Sequence, residues 1–291
     1  MSNLTPAQRL RQIQAKHQGA SALQVPLWPV QVRPLPNTAA RGALFTAANK
    51  REPRLQHRKQ LVATTAQARI FHTGEELRQF DQTVWLQLVH QARSAPLGSE
   101  VESSFYAVLT SMGLSTGGRD SARVRHAIDR MVEATLWVYR RQDSEIASSG
   151  WTVEAPADDP QEDRIPAYFN GRLVATFRTD GGRSGAASFF YSLDPKIVRL
   201  FGVEDYSLVE WEQRLKLSPL AQWAHSFYHS HARPVPYALA TLLALSGTRA
   251  VQRSFRTSFT NALEQLKDVG FLADYDIRDG LVHVARAARQ G

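Results

Sequence analysis

The sequence predicts an α+β protein in which two tandem units of similar element order follow a basic, flexible N-terminal arm. Three observations predict it. Residues 248–269 place Val251, Phe255, Phe259, Leu263 and Leu266 on one helical stripe. Gly270 then ends that helix ahead of a hairpin marked by Asp279-Gly280, and residues 61–205 run through a similar order of helices and strands. The excess positive charge lies almost wholly in residues 1–60. At 291 residues the chain is long enough to bury two cores.

The arm, residues 1–60, carries ten basic side chains and one acid, Glu52. The remainder is close to neutral, with 25 basic against 26 acidic residues, so the net charge of +8 reflects the arm. Such an arm binds phosphates through counterion release. Within it, residues 5–17 read as a short helix capped by Thr5, with Pro6 at the first position. Gln24, Leu27 and Trp28 then form an exposed apolar-aromatic step in a proline-rich stretch. Their spacing is similar to the bacterial sliding-clamp-binding pentapeptide, although Val25-Pro26 departs from its usual middle. The alternative is that Trp28 packs back on this chain.

The first unit, residues 61–205, starts with an extended stretch at 61–71. Asp81 caps a helix that turns Val84, Trp85, Leu88 and Val89 inward. A short strand at 101–103 and a short helix at 105–112 follow. A long helix at 118–134 has Val124, Ile128 and Met131 as its stripe and Arg119 and Arg123 on other faces. After a strand at 135–141, the acidic, proline-containing segment 143–166 reads as a solvated loop inserted in the first wing. Two strands at 173–178 and 187–193 flank a glycine-rich turn that lacks the Gly-Lys-Ser/Thr ending of a phosphate-cradling loop. A short helix at 195–201 closes the unit.

The second unit, residues 206–291, contains a helix at 218–231 that begins with Ser218-Pro219. An extended piece around Pro234 and Pro236 and a short helix at 239–245 lead to the long helix and the final hairpin. Helix, short strand, helix, long helix, hairpin is the order of a winged-helix domain. The long helix has the surface of a DNA-recognition helix. Gln252, Arg253 and Arg256 are placed to reach base edges and flanking phosphates, with Thr257 and Thr260 beside them. Arg249 and the hairpin residue Arg278 are expected to steady the backbone, and Arg119 and Arg123 to touch an adjacent part of the site.

The absence of cysteine excludes disulfides and thiolate metal sites. No apolar run approaches the roughly 20 residues of a membrane span, and the N-terminus lacks a signal-peptide region. A cytoplasmic protein is expected, with no membrane partner. His225, Tyr228, His229 and His231 invite comparison with a nickase, which needs paired metal-binding histidines and a nucleophilic tyrosine. Their helical setting favours core packing instead. Neither a phosphate loop nor a nucleophile–base pairing stands out, so no catalytic residue, metal site or cofactor is assigned.

Several segments together resemble TrfA-type plasmid replication initiators. They are residues 36–46 with Asn49-Lys50 and Pro53-Arg54, Phe71-His72-Thr73-Gly74-Glu75-Glu76-Leu77 with Val84-Trp85, residues 216–219, and residues 279–283. The resemblance implies monomers that bind repeated origin sites (iterons), open the adjacent duplex and recruit the host initiator and replicative helicase. It implies double-stranded and single-stranded origin DNA as ligands, self-association in a monomer–dimer equilibrium through the first unit, and a clamp motif at residues 24–28. The competing readings are a winged-helix transcriptional repressor and, from another class, a rolling-circle nickase.

Overall fold

The computed structural model describes residues 28–64, 68–96, 98–140, 169–180, 188–201 and 206–288. Helices and antiparallel strands are mixed throughout, and the buried apolar side chains form two clusters. One gathers residues between Trp28 and Trp211, and the other gathers Ala47 with residues between Leu217 and Val282.

The first finding corrects the expected arm. From Trp28 onward it is part of the folded body. Strand β1 (Val32–Pro36) pairs antiparallel with β9 (Tyr206–Glu210), joining the chain's beginning to the link between the units. Proline lacks an N–H and is tolerated where a strand has a free edge, which suits Pro34 and Pro36 in this two-stranded ribbon. Helix α1 (Asn37–Ala40) follows, and Leu35, Leu44 and Phe45 are buried. A charge count over 60 residues hid these apolar positions. One of the segment's arginines also turns inward. Arg33, only 3% exposed, donates to Gln87 Oε1 at 2.9 and 3.1 Å and lies 4.4 Å over the Trp211 ring. Burial, aided by Arg93, lowers its pKa to about 10.

In the first unit, β2 (Gln56–Thr64), β3 (Ala68–Glu75), β5 (Thr135–Arg140) and β6 (Phe169–Gly171) form a four-stranded antiparallel sheet. A second sheet holds β4 (Val101–Ser104), β8 (Ser188–Ser192) and β7 (Thr176–Thr179) in that order. The strand after the long helix, β5, therefore belongs to the first sheet and not to the one that holds β7 and β8. The acidic segment, expected as a loop inserted in the first wing, falls between the paired strands β5 and β6 and lies outside the described residues. No local pattern marks this, because strand pairing partners are set at long range.

Helix α2 (Gln79–Gln91) is the centre of the unit: Val84, Trp85, Leu86, Leu88 and Val89 are all fully buried. Its N-cap is Arg78. Asp81 sits three residues in and accepts the Arg78 N–H at 2.7 Å, which corrects the expected cap. Asp81 has no exposed surface and is neutralised by Arg54 and Arg130, each at 2.7 Å. Helices α3 (Phe105–Ser111) and α4 (Gly118–Glu133) complete the unit, with Val124, Ile128 and Met131 buried as expected.

The second unit is built as α5 (Trp211–Leu215), α6 (Pro219–His229), β10 (Tyr237–Ala238), α7 (Leu239–Ser246), α8 (Gln252–Asp268), β11 (Leu272–Arg278) and β12 (Leu281–Arg286). The strands make a sheet in the order β10-β12-β11. Helix α8 buries Phe255, Phe259, Leu263 and Leu266 completely, each contributing roughly 1.5–3 kcal/mol. The Gly270 N–H bonds Lys267 O and the Phe271 N–H bonds Leu266 O, closing the helix with a left-handed glycine. The β11–β12 turn has Asp279 at φ 53° and Gly280 at φ 74°, both positive as a two-residue hairpin turn requires. Val251 was expected on the buried stripe. It precedes the helix with extended backbone (φ −70°, ψ 149°), off the stripe, and is 73% exposed.

The units are braced by the segment that the sequence presented as an arm. The Ala47 N–H bonds Ser246 O at 2.8 Å, and Trp223 Nε1 bonds Gly42 O at 3.3 Å. A Cβ on Gly247 would lie 2.7 Å from Thr46 Cγ2, so the α7–α8 turn fits against this segment only as glycine (φ 64°). Deeper in, the fully buried Arg214 donates to Gln79, Gln82 and Thr83 of α2 and to Ser226 of α6.

Candidate nucleic-acid interface

The first turns of α8 present the strongest candidate surface. Phe255 and Phe259 anchor the helix from behind, while Gln252, Arg253, Arg256 and Thr257 are exposed on the front. The first turn holds no acidic residue. Among the described residues, neither Arg253 nor Arg256 is in a salt bridge, so their charge is available to an external anion. A free guanidinium on a rigid helix matches guanine O6 and N7 or phosphate oxygens in forked geometry. Thr260 is half-buried, and its hydroxyl is turned to Arg256 O at 3.0 Å.

Two expected backbone contacts are placed differently. The Arg249 guanidinium bonds Glu52 Oε2 at 2.7 Å and Pro53 O at 2.9 Å, and lies 3.8 Å from Glu76. It ties the entrance of α8 to the brace and to the first unit. Arg278 pairs with Asp276 at 2.7 Å on the same strand. Asp274 and Asp279 add negative charge to that hairpin, and only Asp274 is answered, by Lys267 at 3.2 Å. The hairpin is thus a weak attractant for phosphate.

In the first unit, Arg119 and Arg123 are exposed on α4, but the Arg123 guanidinium lies 3.7 Å over the Phe80 ring. That stacking fixes its direction and leaves its edge free for hydrogen bonding. Arg125, on the same helix, lies 5.0 Å over Phe105.

Trp28 is 6% exposed and packs against Phe201 and Tyr206 at 5.9 and 5.8 Å between centroids. The expected exposed aromatic is a core residue, because the chain that follows it is strand rather than arm. Gln24 and Leu27 lie outside the described residues.

The histidine-rich helix α6 is turned into the core. His225 is fully buried, with its ring 4.4 Å from Phe271, and burial drives its pKa well below the normal value. Tyr228 has no exposed surface and its pKa is raised, chiefly by burial. A tyrosine so placed cannot reach a phosphodiester. No group of three or more His, Cys, Asp or Glu residues suited to a metal occurs among the described residues.

Sequence reasoning missed Arg214 and the ion pairs made by Asp81 and Glu52, which organise the two units. Arg214 in Trp211-Glu212-Gln213-Arg214-Leu215 reads locally as a solvated charge. Nothing nearby in sequence marks its partners on α2, which lie more than 130 residues away.

The chain is an α+β protein with two cores, a buried polar brace and one helix end carrying exposed arginines. Its family is shown by sequence comparison. The TrfA protein family model matches residues 7–148 and 151–286, and the chain belongs to that family. It is 28% identical over 277 residues to the plasmid replication initiator protein TrfA of Escherichia coli. That match covers 94% of this chain and 66% of the relative, so the chain spans just under two thirds of the relative's length. Its fold is similar to crystal structures of domains 2 and 3 of RctB. One has a TM-score of 0.57 at 14% identity, covering 88% of this chain and 99% of that one. Another has a TM-score of 0.51 at 14% identity, covering 83% and 95%.

Proposed function

We propose that this protein is a plasmid replication initiator built from two tandem winged-helix units. It binds repeated origin sites, promotes local opening of the adjacent duplex and brings in the host initiator and replicative helicase. The observation that carries this reading is the front of α8, where exposed Arg253 and Arg256 stand over a fully buried Phe255–Phe259 anchor in a chain of the TrfA family. Supporting it, β10, β11 and β12 form a three-stranded sheet beside α6, α7 and α8 in winged-helix order. The first unit offers Arg119 and Arg123 for an adjoining stretch of DNA and is the side through which monomers associate. Residues 24 and 27, Gln24 and Leu27, remain the contacts offered to the sliding clamp, without Trp28.

The rigid brace gives the mechanism its form. Two recognition helices on units fixed relative to one another impose their own spacing on the duplex. Binding free energy is then available to bend and unstack DNA, at a cost of order 1–6 kcal/mol for a smooth bend of 40–90°. No nucleotide hydrolysis or strand cleavage is invoked.

Footprinting on the protein's own origin region, with salt titration and permanganate probing, tests the reading. Regularly spaced protected repeats with adjacent reactive thymines are expected. A single protected promoter palindrome without opening establishes the repressor reading instead, and cleavage with a covalent tyrosyl adduct establishes a nickase.

A further inference from the structure

Val251 is 73% exposed, more than any other large apolar side chain among the described residues. Its position makes that exposure informative. It is the N-cap of α8, immediately before Gln252 and Arg253. Valine is a poor choice there, because it has no side-chain oxygen to satisfy the first-turn N–H groups, and none does so in this helix. The residue thus carries two local costs, an uncapped helix and an apolar group in water. Its neighbour Ser254 turns its hydroxyl back onto Val251 O at 2.9 Å, so the polar group beside it is occupied internally. The surface left at the helix entrance is an isopropyl group flanked by an amide and a guanidinium.

We propose that Val251 is a specificity-determining residue that packs against the C5-methyl group of one thymine in each recognised repeat. The inference rests on the reading of α8 as the DNA-recognition helix. The residues at the start of such a helix are the ones that reach base edges. In the major groove thymine alone presents a methyl group, and an apolar side chain is its complement. A β-branched side chain suits the task, because its restricted χ1 holds the methyl groups in one place without an ordering cost on binding. Arg253 and Arg256 supply attraction and hydrogen bonds, and Val251 supplies a steric and apolar test of one base pair.

The test uses the full chain and duplexes from its own origin region, with each thymine of one repeat replaced in turn by deoxyuridine. That replacement removes the methyl group and nothing else. At one position, wild-type binding is expected to weaken roughly fourfold, the effect of one buried methyl group. The penalty at that position should vanish in Val251→Ala and in Val251→Ser. The serine variant supplies a preferred N-cap, so loss of the penalty there cannot come from a damaged fold. If the wild type shows no such position, or both variants keep its penalty, the inference is overturned while the reading of α8 stands. If the wild type does not distinguish its origin from random DNA, the reading of α8 itself falls, and the inference with it.

Discussion

Arg214 donates a 2.8 Å hydrogen bond to Gln82 Oε1 across the boundary between the two units, with neither side chain reaching solvent. Its other acceptors, Gln79 Oε1, Thr83 Oγ1 and Ser226 Oγ, are neutral as well. Burial without a carboxylate lowers its pKa to about 9. A guanidinium offers five donors in a fixed fork, which lets one residue hold α2, α5 and α6 at once.

Removing that side chain strands several buried acceptors and opens a cavity. Arg214→Ala is expected to destabilise the protein by about 3 kcal/mol. Arg214→Lys should restore little, because one ammonium cannot reach partners on both α2 and α6. Urea unfolding of the three proteins checks this. A loss in Arg214→Ala below about 1 kcal/mol would show that the units are held by their apolar contacts alone.

The proposed DNA surface divides into free and occupied arginines. Arg253→Ala and Arg256→Ala should each weaken origin binding by about 1–3 kcal/mol. If one of them meets only phosphate, its loss should reduce the salt slope by about one unit on every sequence. Titrations at several salt concentrations, on origin and random DNA, separate the two cases.

Arg278 should behave differently, because Asp276 already holds it at 2.7 Å. Arg278→Ala is expected to change affinity by less than twofold. Asp276→Asn frees the guanidinium and removes a negative charge, so it should tighten binding to any duplex. Unchanged binding in Asp276→Asn, together with a large loss in Arg278→Ala, would reverse this assignment.

His72 is 1% exposed, and its pKa is lowered to about 4, first by burial and then by His57. In the unfolded chain it protonates near 6.5, so between pH 6.5 and 4 the unfolded state binds the extra proton. Stability should therefore fall as pH drops through that window, with an upper bound of about 3 kcal/mol from this residue. His72 Nε2 has no hydrogen-bond partner among the described residues, so His72→Phe forfeits no bond there and should flatten the profile by about one proton. Urea midpoints measured from pH 7.5 to 4.5 give the comparison.

Trp28 packs on Phe201 and Tyr206, so Trp28→Ala should cost about 3–5 kcal/mol of stability. A clamp pull-down lost in that variant would report unfolding. Leu27→Ala with Gln24→Ala is the informative pair. It is expected to keep the melting temperature and lose clamp capture, and retention of capture would remove these residues from the clamp contact.

Much of the second unit was legible because its signals are local. Gly270, the Asp279-Gly280 turn, Ser218-Pro219 and the four-residue spacing from Phe255 to Phe259 each act within a turn or two of chain. Their identities alone therefore determined where α6 begins, where α8 ends and which face of α8 is apolar. The exposed Gln252, Arg253 and Arg256 followed from the same periodicity, whereas Val251 escaped it because the helix starts one residue later.

Tertiary structure decided what depends on distant partners. It drew β5 into a sheet with β2, β3 and β6, turned Arg33 and Arg54 inward, and claimed Arg249 for Glu52. It also made residues 28–55 a brace rather than an arm. A charged side chain looks the same in sequence whether it faces water or a buried amide 130 residues away. Desolvation and pairing, which separate those fates, exist only once the chain has brought the partners together.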